Sequence, residues 1–116
     1  MNIISKKDII AFNKEVGASG GFSNESSFDF ALDLAKNKKN WLYELSYLVR
    51  SLLVDHAFQD GNKRTCLLVM AYYLEQNGKE FDRQALLGSI LKISKKNISD
   101  PVAIARLIYH ALRERT

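Results

Sequence analysis

The residues whose types and spacing could do chemistry lie together near the middle of the chain, in HAFQDGNKRT, His56 to Thr65. The stretch opens with an imidazole and passes through an Asp60-Gly61 turn signal. It closes with two cations, Lys63 and Arg64, and then Thr65, before nine apolar residues, CLLVMAYYL, Cys66 to Leu74. An apolar run of that length with polar flanks reads as a buried helix. Lys63 and Arg64 then fall in its first turn, where a helix already carries partial positive charge. An anion would offset that unfavourable placement, and the free N–H groups of a helix start form a ready phosphate site. Arg64 brings a planar fork to such a site and Lys63 a point charge. The stretch therefore predicts a phosphate site with a histidine a few residues away.

Each member has a blander reading on its own. His56 could be a core histidine bonded to a carbonyl, Asp60-Gly61 an ordinary turn and Asn62 a helix cap. Taken together they suggest more. Imidazoles titrate near neutrality and can take a proton from a hydroxyl. Asp60 offers a hard oxygen ligand for Mg²⁺, which needs only one or two carboxylates when phosphates and water complete its shell. Gly61 lets the backbone approach a ligand closely. Asn62 could instead hold the loop by bonding its backbone, and Phe58, in an otherwise mostly polar stretch, reads as an anchor against the core. The set describes phosphoryl transfer without a covalent protein nucleophile, which works by positioning and charge stabilisation.

These residues need elements to hold them. A first helix is expected over about Lys6 to Val16, opened by the capping-box spacing of Ser5 and Asp8, with Ile9, Ile10 and Phe12 inward. Gly17 to Ser27 (GASGGFSNESS) is the longest loop-like stretch. It reads either as a surface connection or as a flap beside an active site. Ser23 or Asn24 can cap a second helix ending near Lys38. A third helix is expected from roughly Trp41 to His56, with apolar stripes at Trp41, Leu45, Leu48, Leu52 and at Leu42, Val49, Leu53. His56 continues the second stripe and is expected to leave the helix facing the protein. The buried helix runs to about Gln76 and stops at Asn77-Gly78. A fifth covers about Arg83 to Ile93 behind Asp82, and a sixth starts at Asp100-Pro101 and runs to the C-terminus. Residues that favour strands do not cluster in alternation, so the fold class is all-α.

The chain has 116 residues, which predicts one domain over 1–116. Its net charge of +4 and pI of about 9.2 suit anionic ligands or acidic partners. The cations lie in small groups (Lys36, Lys38, Lys39; Lys92, Lys95, Lys96; Arg113, Arg115), some with carboxylates between them, and read as solvated helix faces. Nucleic-acid binding would rest on this mild charge alone, since no helix-turn-helix pattern is visible. One cysteine, Cys66, excludes an intramolecular disulfide. No stretch has the length of a membrane span or the pattern of a signal peptide. The expected compartment is a reducing cytoplasm.

The central stretch resembles the signature of the Fic/Doc family, H-x-F-x-[D/E]-x-N-[G/K]-R, supplied here by His56, Phe58, Asp60, Asn62, Lys63 and Arg64. GGFSNESSFDFAL is similar to the family's Gly-rich flap and following helix, LYELSYLVRSLLVDH to the helix before the motif, and YYLEQNGKEF to the segment after it. The similarity runs in register from Lys6 to about Ile108. It implies an all-α fold, a compact bundle of about six helices with the motif loop between two central helices and a short flap that could form a small β-hairpin. It implies that His56 is the base activating a target hydroxyl and Asp60 the Mg²⁺ ligand. The backbone from Gly61 to Arg64 would be an anion cradle, with Asn62 and Arg64 contacting phosphate. The flap, Gly20, Gly21, Phe22 and Ser23, would hold a target segment extended by strand-like pairing. ATP and Mg²⁺ are the implied cofactors.

Two positions point to a branch. Lys63 stands where adenylylating members usually carry Gly, and Leu67 where they carry a second Arg. Both match the Doc branch, which resembles a kinase: it passes the terminal phosphate of ATP to an acceptor hydroxyl on a target protein, a translation elongation factor. Its members are toxins restrained by a small antitoxin. The inhibitory pattern [S/T]-x-x-x-E-[G/N] of self-restrained members does not occur here, so a restraint would come from a separate chain. Adenylyl transfer, and a non-catalytic nucleotide- or peptide-binding module, are the alternatives.

Overall fold

The computed structural model describes residues 4–37 and 40–112. Lys38, Lys39, Arg113 and Arg115, and the expected end of the second helix near Lys38, lie outside the described residues. Six helices follow in order: α1 (Lys6–Glu15), α2 (Glu25–Asn37), α3 (Trp41–Leu53), α4 (Asn62–Gln76), α5 (Arg83–Lys96) and α6 (Pro101–His110). Among the described residues there is no strand, only two isolated antiparallel bridges, Phe22 with Phe58 and Phe81 with Leu112. The fold is the all-α bundle the sequence predicts. The expected small hairpin at the flap is instead a single pairing of the flap with the motif loop.

Local chemistry sets most boundaries. Ser5 and Asp8 close a reciprocal capping box on α1, and the Asp82 and Asp100 side chains accept from Gln84 and Val102 N–H groups at the starts of α5 and α6. Such caps satisfy amides that the helix leaves unpaired. Asn24, rather than Ser23, caps α2, with its Oδ1 accepting from Ser27 N. α5 runs one turn past its expected end and stops at Asn97, a left-handed residue with φ +50°, a conformation asparagine tolerates.

α3 is the central column. It packs against α2, α4 and α6, while α1 and α5 pack on α4. Leu45, Leu48, Val49, Leu52 and Leu53 of α3 are buried, as are Cys66, Val69, Met70 and Leu74 of α4. No residue from Thr65 to Leu74 is exposed, which matches the reading of that run as a buried helix. No helix among the described residues is long and apolar enough to cross a membrane.

Candidate active site

α3 ends at Leu53, three residues before the expected His56. The chain turns through Val54 and Asp55, both of whose amides bond Arg50 O. His56 then takes a left-handed backbone, φ +52°. That turn breaks the helical stripe, so His56 is exposed rather than packed inward. A non-glycine residue in this region carries strain of about 1–3 kcal/mol and needs its surroundings to hold it. The surroundings do so: Ala57 N bonds Ser51 O, and Asp55 anchors the turn by accepting from Ser27 Oγ at 2.7 Å.

Phe58 is the fixed point of the loop. It is buried, stacked on Phe22 with ring centroids 4.6 Å apart, and tilted against Phe28. Gln59 N donates to Gly21 O and Ser23 N to Ala57 O. These bonds flank the Phe22–Phe58 pair, so the main-chain groups of both phenylalanines point to their outer edges. The outer edge of Phe58 is taken by Asn62, whose Oδ1 accepts from Phe58 N at 3.0 Å and whose Nδ2 donates to Phe58 O at 2.8 Å. Of the two local readings of Asn62, the loop-holding one is observed. The N-cap of α4 is Gly61, φ +74°.

α4 therefore starts without a side-chain cap and without an acidic residue in its first turn. Its first amide bonded along the helix is Thr65 N, on Gly61 O. The uncapped start opens into a cleft of about 360 Å³ lined by Leu53, His56, Gln59, Asp60, Gly61, Asn62, Lys63, Arg64 and Ser94. The cleft thus gathers the imidazole, the carboxylate and both cations. Asp60 Oδ1 accepts from Gly61 N at 2.8 Å. Arg64 Nη1 donates to Val16 O at 2.8 Å, one of the guanidinium's five N–H donors. Among the described residues no three His, Cys, Asp or Glu side chains form a metal cage. A cation at Asp60 would take most of its ligands from elsewhere, a donor set that fits Mg²⁺ riding on phosphates.

The flap lies beside this loop. Gly20, Gly21, Phe22 and Ser23 are tied to Asn13 or to the motif, so this segment is a braced structure. Lys6 braces Phe22 from the other side, with its ammonium 5.1 Å from the ring centroid and paired with Glu25 and Asp29 of α2. Asp29, then Glu25, hold that ammonium above the ordinary lysine range.

The family model for the Fic/DOC family matches residues 4–74, which contain the flap, the cleft's motif residues and α4 as far as Leu74. The chain belongs to the Fic/DOC family. No curated protein matches it. Fic/DOC proteins generally transfer nucleotide or phosphate groups to proteins, and the cleft brings an imidazole beside the uncapped start of a helix. The match ends at Leu74, so α5 and its cleft residue Ser94 lie beyond it.

Sequence reasoning missed Ser94, which arrives from a distant helix, and Asn13. The amide of Asn13 is buried and bonds three separate segments. A signal for Asn13 did exist: it falls four residues after Ile9, a polar residue on the inward face of α1.

Proposed function

We propose that this Fic/DOC domain is a Doc-like protein kinase, moving the terminal phosphate of ATP to a hydroxyl of a target protein. The observation that carries the reading is the shared cleft of His56, Asp60, Lys63 and the uncapped start of α4. His56 takes the proton of the acceptor hydroxyl as the new O–P bond forms. The bond between the γ-phosphorus and its bridging oxygen breaks, and ADP leaves. The free amides at the start of α4, with Lys63 and Arg64, receive the negative charge that develops on the phosphate oxygens. Asp60 would hold Mg²⁺, which would supply positive charge against the phosphates. Asn62 serves through its main chain, since its side chain is committed to Phe58.

Lys63 and Leu67 favour the kinase over adenylyl transfer. An added ammonium and a missing guanidinium change where the nucleotide's charges settle, and so which phosphorus meets the hydroxyl. The outward edge of Phe22 would receive an acceptor segment as an added strand. In this reading the domain is a cytoplasmic toxin acting on a translation elongation factor, and an antitoxin on a separate chain restrains it.

The test is purified protein in cell extract with ATP labelled at either the α or the γ position. Label from the γ position on a protein acceptor supports the kinase. Label only from the α position replaces it with adenylyl transfer. No labelled product, with normal growth on overexpression, leaves a non-catalytic binding module.

A further inference from the structure

α1 lies outside the motif, yet its Asn13 holds three parts of the site together. The residue is 1% exposed. Its Oδ1 accepts from Gly20 N at 2.9 Å, at the start of the flap. Its Nδ2 donates to Asp60 O at 2.9 Å and to Thr65 Oγ1 at 3.0 Å. One amide thus grips the flap, the backbone of the carboxylate residue and the first turn of α4. The fit is tight: a Cβ added at Gly61 would come within 3.3 Å of Asn13 Nδ2 and 3.1 Å of Ala18 Cβ. Because Asn13 is itself buried, breaking one of its bonds leaves a polar group without its partner, and the bonds transmit displacement.

We propose that Asn13 is a positioning residue that couples the acceptor flap to the metal carboxylate, so that seating Mg²⁺ and nucleotide at Asp60 also sets the flap for the acceptor. The proposal rests on the nucleotide-transfer reading of the cleft. Its two arms separate chemically. Asn13→Asp keeps an oxygen for Gly20 N–H but loses both donor bonds. Asn13→Ala loses all three.

Half-saturating Mg²⁺ for binding of a non-hydrolysable ATP analogue, read by calorimetry, should rise about tenfold in both variants, the equivalent of one lost net hydrogen bond. The KM for acceptor protein should rise only in Asn13→Ala. A change in Mg²⁺ requirement confined to Asn13→Asp, in either direction, would mark an effect of added charge and overturn the coupling. Wild-type values in both, with only a lowered melting temperature, would reduce Asn13 to a structural residue and overturn it as well. Should both variants fail to fold, the wild-type protein still decides the matter. Hydrogen exchange at the Gly20 amide should slow when Mg²⁺ and the analogue bind, and an unchanged rate with both bound refutes the coupling. If neither binds, the nucleotide reading falls first and this inference with it.

Discussion

The residue whose proposed role separates most sharply from stability is His56. Its left-handed backbone, φ +52°, is a conformation glycine adopts freely and histidine resists. His56→Gly should therefore abolish transfer while raising stability by up to about 1 kcal/mol, the relief of strain less the entropy of the unfolded glycine. His56→Ala should abolish transfer without that gain. Denaturant unfolding beside a labelled-ATP assay checks both, and full activity in either variant removes His56 from the mechanism. Lys63 is exposed at the second position of α4, so exchanging it leaves the core alone. Lys63→Gly should shift product from phosphate toward AMP, weakly, because Leu67 supplies no second guanidinium. Mass spectrometry of the acceptor reads the shift, and an unchanged product mass means Lys63 does not orient the nucleotide. The types of these residues were legible in the sequence because each carries its own chemistry. The direction His56 faces was not. Helical periodicity extrapolates only while the helix lasts, and α3 stops at Leu53.

At the scale of elements, the flap and the motif loop are one unit stapled by rings. Phe22, Phe28 and Phe58 form a triangle of rings: Phe58 is 4.6 Å from Phe22 and 5.8 Å from Phe28, and Phe22 is 5.1 Å from Phe28. Removing a fully buried ring from such a cluster costs about 3–5 kcal/mol. Phe58→Ala should lose that much in denaturant unfolding and release the flap to proteolysis near Gly20. Phe22→Ala is milder, because Phe22 is only half-buried. It should spare ATP binding and raise the KM for the acceptor several-fold, since it loosens the strand edge offered to the target while leaving Asn62 bonded to Phe58. Steady-state kinetics with each substrate varied in turn separates the two effects, and an equal rise in both constants would count against the flap as the acceptor's seat. The helices themselves were readable because caps and apolar spacing are local: Ser5 with Asp8, Asp82, and Asp100 before Pro101 all mark observed starts. The flap's attachment was not readable. Whether Gly17 to Ser27 is a loose connection or a braced flap depends on bonds from Asn13 and Gln59, and sequence spacing does not encode those partners. Ser94 stayed hidden for the same reason, since only the packing of α5 on α4 brings it to the cleft.

Across the whole molecule, ionisable groups whose shifts stand out all move in one direction with pH. Burial pushes the Cys66 thiol well above its ordinary 9.0 and the Tyr73 hydroxyl above its ordinary 10.0. The carboxylates of Asp29 and Glu25 raise Lys6 above 10.5. In each case the folded protein holds its proton more tightly than the unfolded chain does. The stabilisation is therefore complete below the unfolded values and disappears as pH climbs through and past them. For Cys66 and Tyr73 the protonated form is neutral, and unfolding at high pH releases protons that the core had kept. Thermal unfolding should accordingly be insensitive to these groups from pH 7 to 8.5 and then fall steadily from about pH 9 upward, where the first of them, Cys66, titrates in the unfolded chain. Lys6 sits on the surface and its share should fade with added salt, while the buried pair's share should persist. Cys66→Ala would flatten the early part of the decline near pH 9 and leave the later part, which belongs to Tyr73 and, at low salt, Lys6. The same burial predicts that a thiol reagent at pH 8 leaves the native protein unmodified and reacts only as fast as the fold opens. Prompt labelling of Cys66 in the native state, or a melting temperature that rises between pH 9 and 10, would mean that α4 is not sealed between α3 and α5, and the cleft at its uncapped start would lose the rigid floor on which the proposed transfer depends.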